Sequence, residues 1–186
     1  MTGQRADARR NYALLLAVAS EAVARDGADA SLEQIARTAG VGSGTVRRHF
    51  PTRHALLAAV FHDRIESLCD RAHALATRDP AREALLEWLS LFAADAATIG
   101  GLATALNRDR TTGPPGDVYC ATDQLIAAGT PLVRRASGAL TPGITITDLL
   151  ALVTGIALAT EGHPDPAAEA DRLLALTVAG ISPAHT

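Results

Sequence analysis

Apolar residues recur along this chain at three- and four-residue spacing, and sustained two-residue alternation is absent. That period predicts helices rather than half-buried strands. The first helix is expected over 6–25, with Leu15, Val18, Ala19 and Ala22 on one face and Asp26-Gly27 as its stop. A second opens at Ser31, where a capping box would join the Ser31 side chain to the Gln34 amide and the Gln34 side chain back to Ser31. Leu32, Ile35, Ala36 and Ala39 then repeat at i, i+3, i+4, i+7, and Gly40 ends the run. A short helix over 43–49 follows after a three-residue break. Pro51-Thr52 punctuates it, and a long helix over 53–77 carries Leu57, Val60, Phe61, Ile65 and Leu68.

Asp79 and Pro80 read as N-cap and first residue of the next helix, which holds Leu85, Leu86, Trp88, Leu89 and Phe92. Gly100-Gly101 interrupts before a short helical piece ending at Leu106, and 107–116, with Pro114-Pro115, reads as a loop. A helix over 117–137 is expected to be weakened at Gly129-Thr130-Pro131. The last two cover 147–161 and 166–181, the second capped by Asp165. The expectation is an all-α chain of about nine helices, a three-helix head over 1–52 on a larger helical body over 53–186.

Composition narrows the possibilities. Of the 186 residues 48% are hydrophobic but only 3% aromatic, so the core must be aliphatic, which favours helices over pleated sheet. Cys69 and Cys120 are too few for a disulfide framework and match no zinc spacing. No metal or other cofactor is expected. Arg9-Arg10 before the apolar run 12–19 imitates a signal peptide, but the run is short and the amphipathic pattern continues through Glu21 and Ala22 to Arg25. The most apolar stretch, 149–160, has twelve uncharged residues, and a bilayer needs about twenty. A cytoplasmic protein is expected. Charge is divided unevenly: residues 1–64 carry +3 and residues 65–186 carry −6, with every basic residue an Arg. A basic head on an acidic body suits contact with nucleic acid.

The chemistry concentrates in 31–53. Two short helices joined by Gly40-Val41-Gly42 make a helix-turn-helix, which lays its second helix into a DNA major groove. Val46 and Phe50, spaced i, i+4, should pack inward against Leu32 and Ile35. Ser43, Gly44, Thr45, Arg47, Arg48 and His49 are left outward. Arg can grip guanine O6 and N7 with two hydrogen bonds, and Thr offers a methyl to thymine or a hydroxyl to phosphate. Gly44 would let the sugar-phosphate backbone come close. Arg53 opens the following helix, where free amides and the dipole favour a phosphate. Ser31 and Arg53 are expected to position the DNA backbone, and Thr45 and Arg48 to carry sequence preference.

The stretch SLEQIARTAGVGSGTVRRHFPTRHALLAAVF resembles the DNA-binding head of TetR-type transcriptional regulators. The matching residues are Ser31, Ile35-Ala36, Ala39-Gly40-Val41, Gly44-Thr45, Arg48-His49-Phe50, Pro51-Thr52-Arg53 and Leu56. Arg47 stands where the family usually has Tyr, which exchanges an aromatic phosphate contact for a guanidinium. The run 64–106, with Trp88-Leu89 and Gly101-Leu102-Ala103, is similar to actinobacterial members. The resemblance implies a homodimer paired through its last two helices. Residues 149–160 carry no charge on any face, and Ala151, Gly155 and Ala159 form a smooth stripe. The final helix adds Leu173, Leu174, Thr177, Val178 and Ile181. An entirely intramolecular role for both helices is the alternative.

In this family a small molecule binds inside the body and changes the spacing of the two heads. His73, Trp88, Phe92, Tyr119, Cys120 and Asp123, polar or aromatic groups within apolar helices, are the candidates to line that site. An aromatic at helical spacing or a lone Cys is equally an ordinary core residue. The resemblance thus implies a repressor that grips a palindromic DNA operator as a dimer and is released by a small effector. The rival is a helical sensor of ligands or proteins with a vestigial head. Catalysis is not expected: the six His form no HExxH, and neither a phosphate loop nor G-x-S-x-G is present.

Overall fold

The computed structural model describes residues 2–112 and 121–181, and all regular structure among them is helical. Helix α1 (Thr2–Asp26) begins earlier than expected and stops where Gly27 turns to φ +62°. A 3-10 turn, Gly27–Asp29, leads into α2 (Leu32–Thr38) and α3 (Ser43–His49). Helix α4 (Arg53–Leu75) runs unbroken from the head into the body, where α5 (Ala81–Thr98), α6 (Leu102–Thr112), α7 (Ala121–Ala136), α8 (Ile146–Ala159) and α9 (Pro166–Ile181) assemble.

The body is built around α5, which packs against α4, α7, α8 and α9. Its Ala84, Leu85, Trp88, Leu89, Phe92 and Ala93 are buried and share one hydrophobic core with Leu15, Ile35 and Val46 of the head. Trp88 is wholly enclosed. Its indole Nε1 donates to the Leu68 carbonyl oxygen of α4 at 2.9 Å, which satisfies the ring's polar atom inside the core. A Cβ on Gly129 of α7 would lie 2.8 Å from two Trp88 ring carbons and 2.5 Å from Ile146 Cδ1. A glycine inside a helix is unfavourable by itself; here it leaves the room that the indole occupies.

Local chemistry shifted several boundaries. Helix α6 continues through residues read as loop, because 107–112 are polar yet contain no Gly or Pro to break it. Helix α7 passes through Gly129-Thr130-Pro131 without ending, and the Thr130 hydroxyl donates to the Ile126 carbonyl at 2.6 Å. Pro80, not Asp79, is the N-cap of α5, since the Asp79 carboxylate accepts from Arg135 at 2.7 Å instead. That same Arg135 donates to the carbonyls of Ala76 (2.7 Å) and Arg78 (3.0 Å), satisfying groups left open where α4 ends. A full capping box forms between Thr145 and Asp148 at the start of α8. Asp165 caps α9 as expected, accepting from the Ala168 amide at 3.1 Å.

Head and body meet along α1, α4 and the α5–α6 turn. A Cβ on Gly100 would fall 3.0 Å from the Ala24 carbonyl oxygen, so the two backbones nearly touch there. Next to this contact Arg64 of α4 makes a short ion pair with Asp95 of α5, a carboxylate buried in the body.

Candidate nucleic-acid interface

The head begins with a capped α2. Ser31 Oγ accepts from the Gln34 amide at 3.3 Å. The reciprocal half of the expected box is absent, because the Gln34 side-chain oxygen accepts from Arg37 instead. Ser31 Oγ donates to Glu33 at 3.2 Å, so its hydroxyl is committed within the protein. The chain then turns at Gly40, whose φ of +67° places it in the left-handed region that side chains resist. The amides of Gly40 and Val41 donate to the carbonyls of Arg37 (3.2 Å) and Ala36 (3.0 Å), a Schellman closure of α2.

Helix α3 is held by Val46 and Phe50, both buried with Ile35 and Ala36. Ser43, Gly44, Arg47, Arg48 and His49 face solvent, and Thr45 is half-buried. A Cβ at Gly44 would meet nothing within 4 Å. The fold itself therefore does not require glycine at this position. Arg48 makes no ion pair or hydrogen bond among the described residues. Arg47 donates to Glu33 of α2 at 2.8 Å, and Arg53, first residue of α4, donates to Asp29 at 2.8 Å. Glu33's own backbone amide, then Arg47 and Ser31, hold its carboxyl below the usual range. Both pairs are solvent-exposed, and such pairs are commonly worth no more than about 1 kcal/mol.

Sequence patterning overlooked three members of this surface. Tyr12 of α1 is exposed and lies over α3, its ring centroid 5.5 Å from His49 and 6.1 Å from Phe50. The sequence pattern marks it only as the start of an apolar run. Asp29 and Glu33 sit beside the arginines they pair with, which tertiary packing alone could reveal for Asp29, 24 residues from its partner.

The body candidates are scattered. Trp88 and Phe92 are fully buried and stack on each other with ring centroids 6.4 Å apart. His73 and Asp123 are exposed, and Tyr119 and Cys120 lie outside the described residues. Cys69 is half-buried and its thiol is pushed up, first by burial and then by Asp70 and Glu66, which leaves it a poor nucleophile. On α8, Gly155 and Ala159 are exposed and Ala151 half-buried. On α9, Leu173, Thr177 and Val178 are half-buried, whereas Leu174 is buried within its own chain. The Ile181 side chain lies outside the described residues. Leu176, missed by the sequence reading, is 60% exposed on the outer side of α9. Among the described residues no helix is long and apolar enough to cross a membrane.

Residues 15–60 match the family of bacterial regulatory proteins of the tetR type, and residues 79–183 match the C-terminal domain of SbtR-like transcriptional regulators. The chain belongs to the TetR family of transcriptional regulators. A TetR transcriptional regulator from Streptomyces coelicolor is 39% identical, with 92% of this chain and 98% of that chain covered and a TM-score of 0.56. A TetR regulatory protein from Mycobacterium vanbaalenii is 31% identical over 97% of this chain and 99% of its own, with a TM-score of 0.52. The regulator FadR from Bacillus subtilis, solved with stearoyl-CoA, shares the fold at 20% identity and a TM-score of 0.64, covering 91% of this chain and 99% of that one. No curated protein matches the sequence significantly. The TetR assignment accounts for the all-α architecture, the head with its helix-turn-helix and the two actinobacterial likenesses.

Proposed function

We propose that this TetR-family regulator is a repressor that binds a pseudo-palindromic operator as a homodimer and is released by a small effector. The observation that carries the reading is the outward face of α3. Val46 and Phe50 anchor the helix from behind, while Ser43, Gly44, Arg47, Arg48 and His49 are exposed and Thr45 is half-buried. Arg48 and Thr45 supply the base contacts. Arg47 and Arg53 exchange Glu33 and Asp29 for phosphates, and Ser31 acts by holding α2 in place. Two such helices must stand about 34–36 Å apart, or at a multiple, to enter successive major grooves.

Dimerisation is supported by the outer faces of α8 and α9. Ala151, Gly155 and Ala159 together with Leu173, Leu176 and Thr177 leave an apolar surface that the single chain does not cover. An effector acts by preferring a body conformation with a different head spacing. Such couplings commonly amount to about 1–3 kcal/mol.

The test is a fluorescence anisotropy titration on DNA from immediately upstream of the chain's own gene, with a shuffled duplex as competitor and salt varied between about 50 and 200 mM. Tight binding that resists the competitor, at two protomers per site, is expected. Selectivity no better than for the shuffled duplex overturns the reading. Two variants sharpen it. Arg53→Ala should weaken binding to all duplexes alike and reduce the salt slope by about one; a changed sequence preference would contradict its phosphate role. Gly44→Ala should leave stability unchanged or raise it by about 0.5–1 kcal/mol, since the site has room for a methyl group and glycine disfavours helix. Operator affinity should nevertheless fall. A Gly44→Ala protein that binds DNA normally would show that close backbone approach is not the reason for glycine.

A further inference from the structure

A cleft of about 450 Å³ opens where head and body meet. One wall is Val23 and Ala24 of α1, the second is Val60 and Phe61 of α4, and the third is Ile99 and Gly100 at the end of α5. Its volume lies in the range of small-molecule sites, and its floor is apolar, since Val23 and Phe61 are buried. None of the body candidates of the sequence reading lines it.

The two hydroxyls at its rim have each given their proton to a backbone carbonyl. The Ser20 hydroxyl donates to the Leu16 carbonyl at 2.9 Å and the Thr98 hydroxyl to the Ala94 carbonyl at 2.7 Å. Toward a ligand in the cleft these two hydroxyls can therefore serve only as acceptors. The Arg64 guanidinium is held by the buried carboxylate of Asp95, so its charge is answered from within. Asp63 also lines the cleft and makes no hydrogen bond or ion pair among the described residues. Arg64 keeps further N–H groups at the rim, but its charge is matched by Asp95, so the carboxylate of Asp63 leaves the cleft one negative charge in excess; with the apolar floor and the two hydroxyl acceptors this suits an apolar molecule carrying an N–H cation.

We propose that this head–body cleft is a binding site for a small amphipathic ammonium compound, with its apolar part on Val23, Val60, Phe61 and Ile99 and its nitrogen donating to Asp63. Its occupancy bears on the head because each wall belongs to a different part of the chain. The consequence for DNA rests on the operator-binding reading, whereas the binding step does not.

The experiment uses the full chain and three matched probes: 4-phenylbutylamine, 4-phenylbutanol and 4-phenylbutanoate. Calorimetry without DNA should show the amine binding about tenfold or more tightly than the alcohol or the carboxylate, the usual order for a charge-assisted hydrogen bond. Asp63→Asn should reduce the amine to the affinity of the alcohol. Val60→Trp, or Ala24→Phe from the opposite wall should one of them fail to fold, should abolish binding by filling the cleft. The amine should then shift the operator dissociation constant of the wild type and not that of Asp63→Asn. Three probes of equal affinity, amine binding that survives both filling variants, or no binding at all would overturn the proposal. A wild-type protein that binds the amine but no DNA fragment would instead overturn the operator reading and leave the site standing.

Discussion

Replacing Trp88 by alanine is expected to lower the unfolding free energy by about 3–5 kcal/mol, the largest stability effect of any single body residue. The indole is completely enclosed, and three elements are shaped to it: α4 supplies the Leu68 carbonyl, α7 the bare backbone of Gly129, and α5 the neighbouring Phe92 ring. Truncation removes the ring's transfer free energy and leaves a cavity, while helices this rigid collapse only partly into the space. Trp88→Phe should fall between wild type and alanine, because it keeps most of the apolar surface but leaves the Leu68 carbonyl without its indole donor. Urea unfolding monitored by circular dichroism measures both. A loss below about 1 kcal/mol for the alanine variant would mean that the indole is not the centre of the body core.

The second large effect concerns assembly. Leu176→Arg is expected to convert the protein to a monomer and to remove operator binding, with the helical content unchanged. Leu176 is the most exposed large apolar side chain described, and it shares the outer surface of α9 with Leu173 and Thr177. In a two-fold interface one substitution appears twice in the same patch. Two guanidiniums would be buried there without partners, and an uncompensated buried charge commonly costs about 3–5 kcal/mol. The dimer dissociation constant should therefore rise at least about a thousandfold. Sedimentation velocity reads the mass and anisotropy reads the DNA. A Leu176→Arg protein that remains dimeric would place the two-fold contact elsewhere, and one that is monomeric yet binds operator with full affinity would separate dimerisation from DNA recognition.

The two variants also distinguish two kinds of apolar helix face that periodicity cannot tell apart. Leu174 and Leu176 are two residues apart on one helix and equally hydrophobic, yet the first is 5% exposed and the second 60%. The stripe through Ala170 and Leu174 packs against the rest of the body, and the neighbouring stripe is left over. Periodicity alone, which names Leu173, Leu174, Thr177, Val178 and Ile181 as one interface, therefore includes Leu174 and passes over Leu176.

The head was the more legible half because its information is local. Ser31 capping α2, the left-handed Gly40 and the i, i+4 pair Val46 and Phe50 are each decided within a few residues of chain. Those same constraints dictate which residues of α3 face outward, so the candidate DNA surface could be named from residue order. Helix number and order in the body followed from the apolar period for the same reason, and its boundaries moved where a side chain had a competing partner, as Asp79 did with Arg135, or where a polar run held no Gly or Pro to stop it, as in α6.

What residue order could not settle was every contact between segments distant in the chain. Arg47 and Arg53 were visible as cations, but their pairing with Glu33 and Asp29 required the folded head. Trp88 and Gly129 each looked unremarkable, an aromatic in one helix and a weak point in another, until packing set one into the other. The cleft at Asp63 joins residues from 20 to 100, and nothing in the local pattern of any one segment marks it. Secondary structure here arises from short-range periodicity and capping, which the chain carries within a turn or two. Cavities and interfaces arise from which faces remain after the helices have packed, and only the tertiary structure decides that.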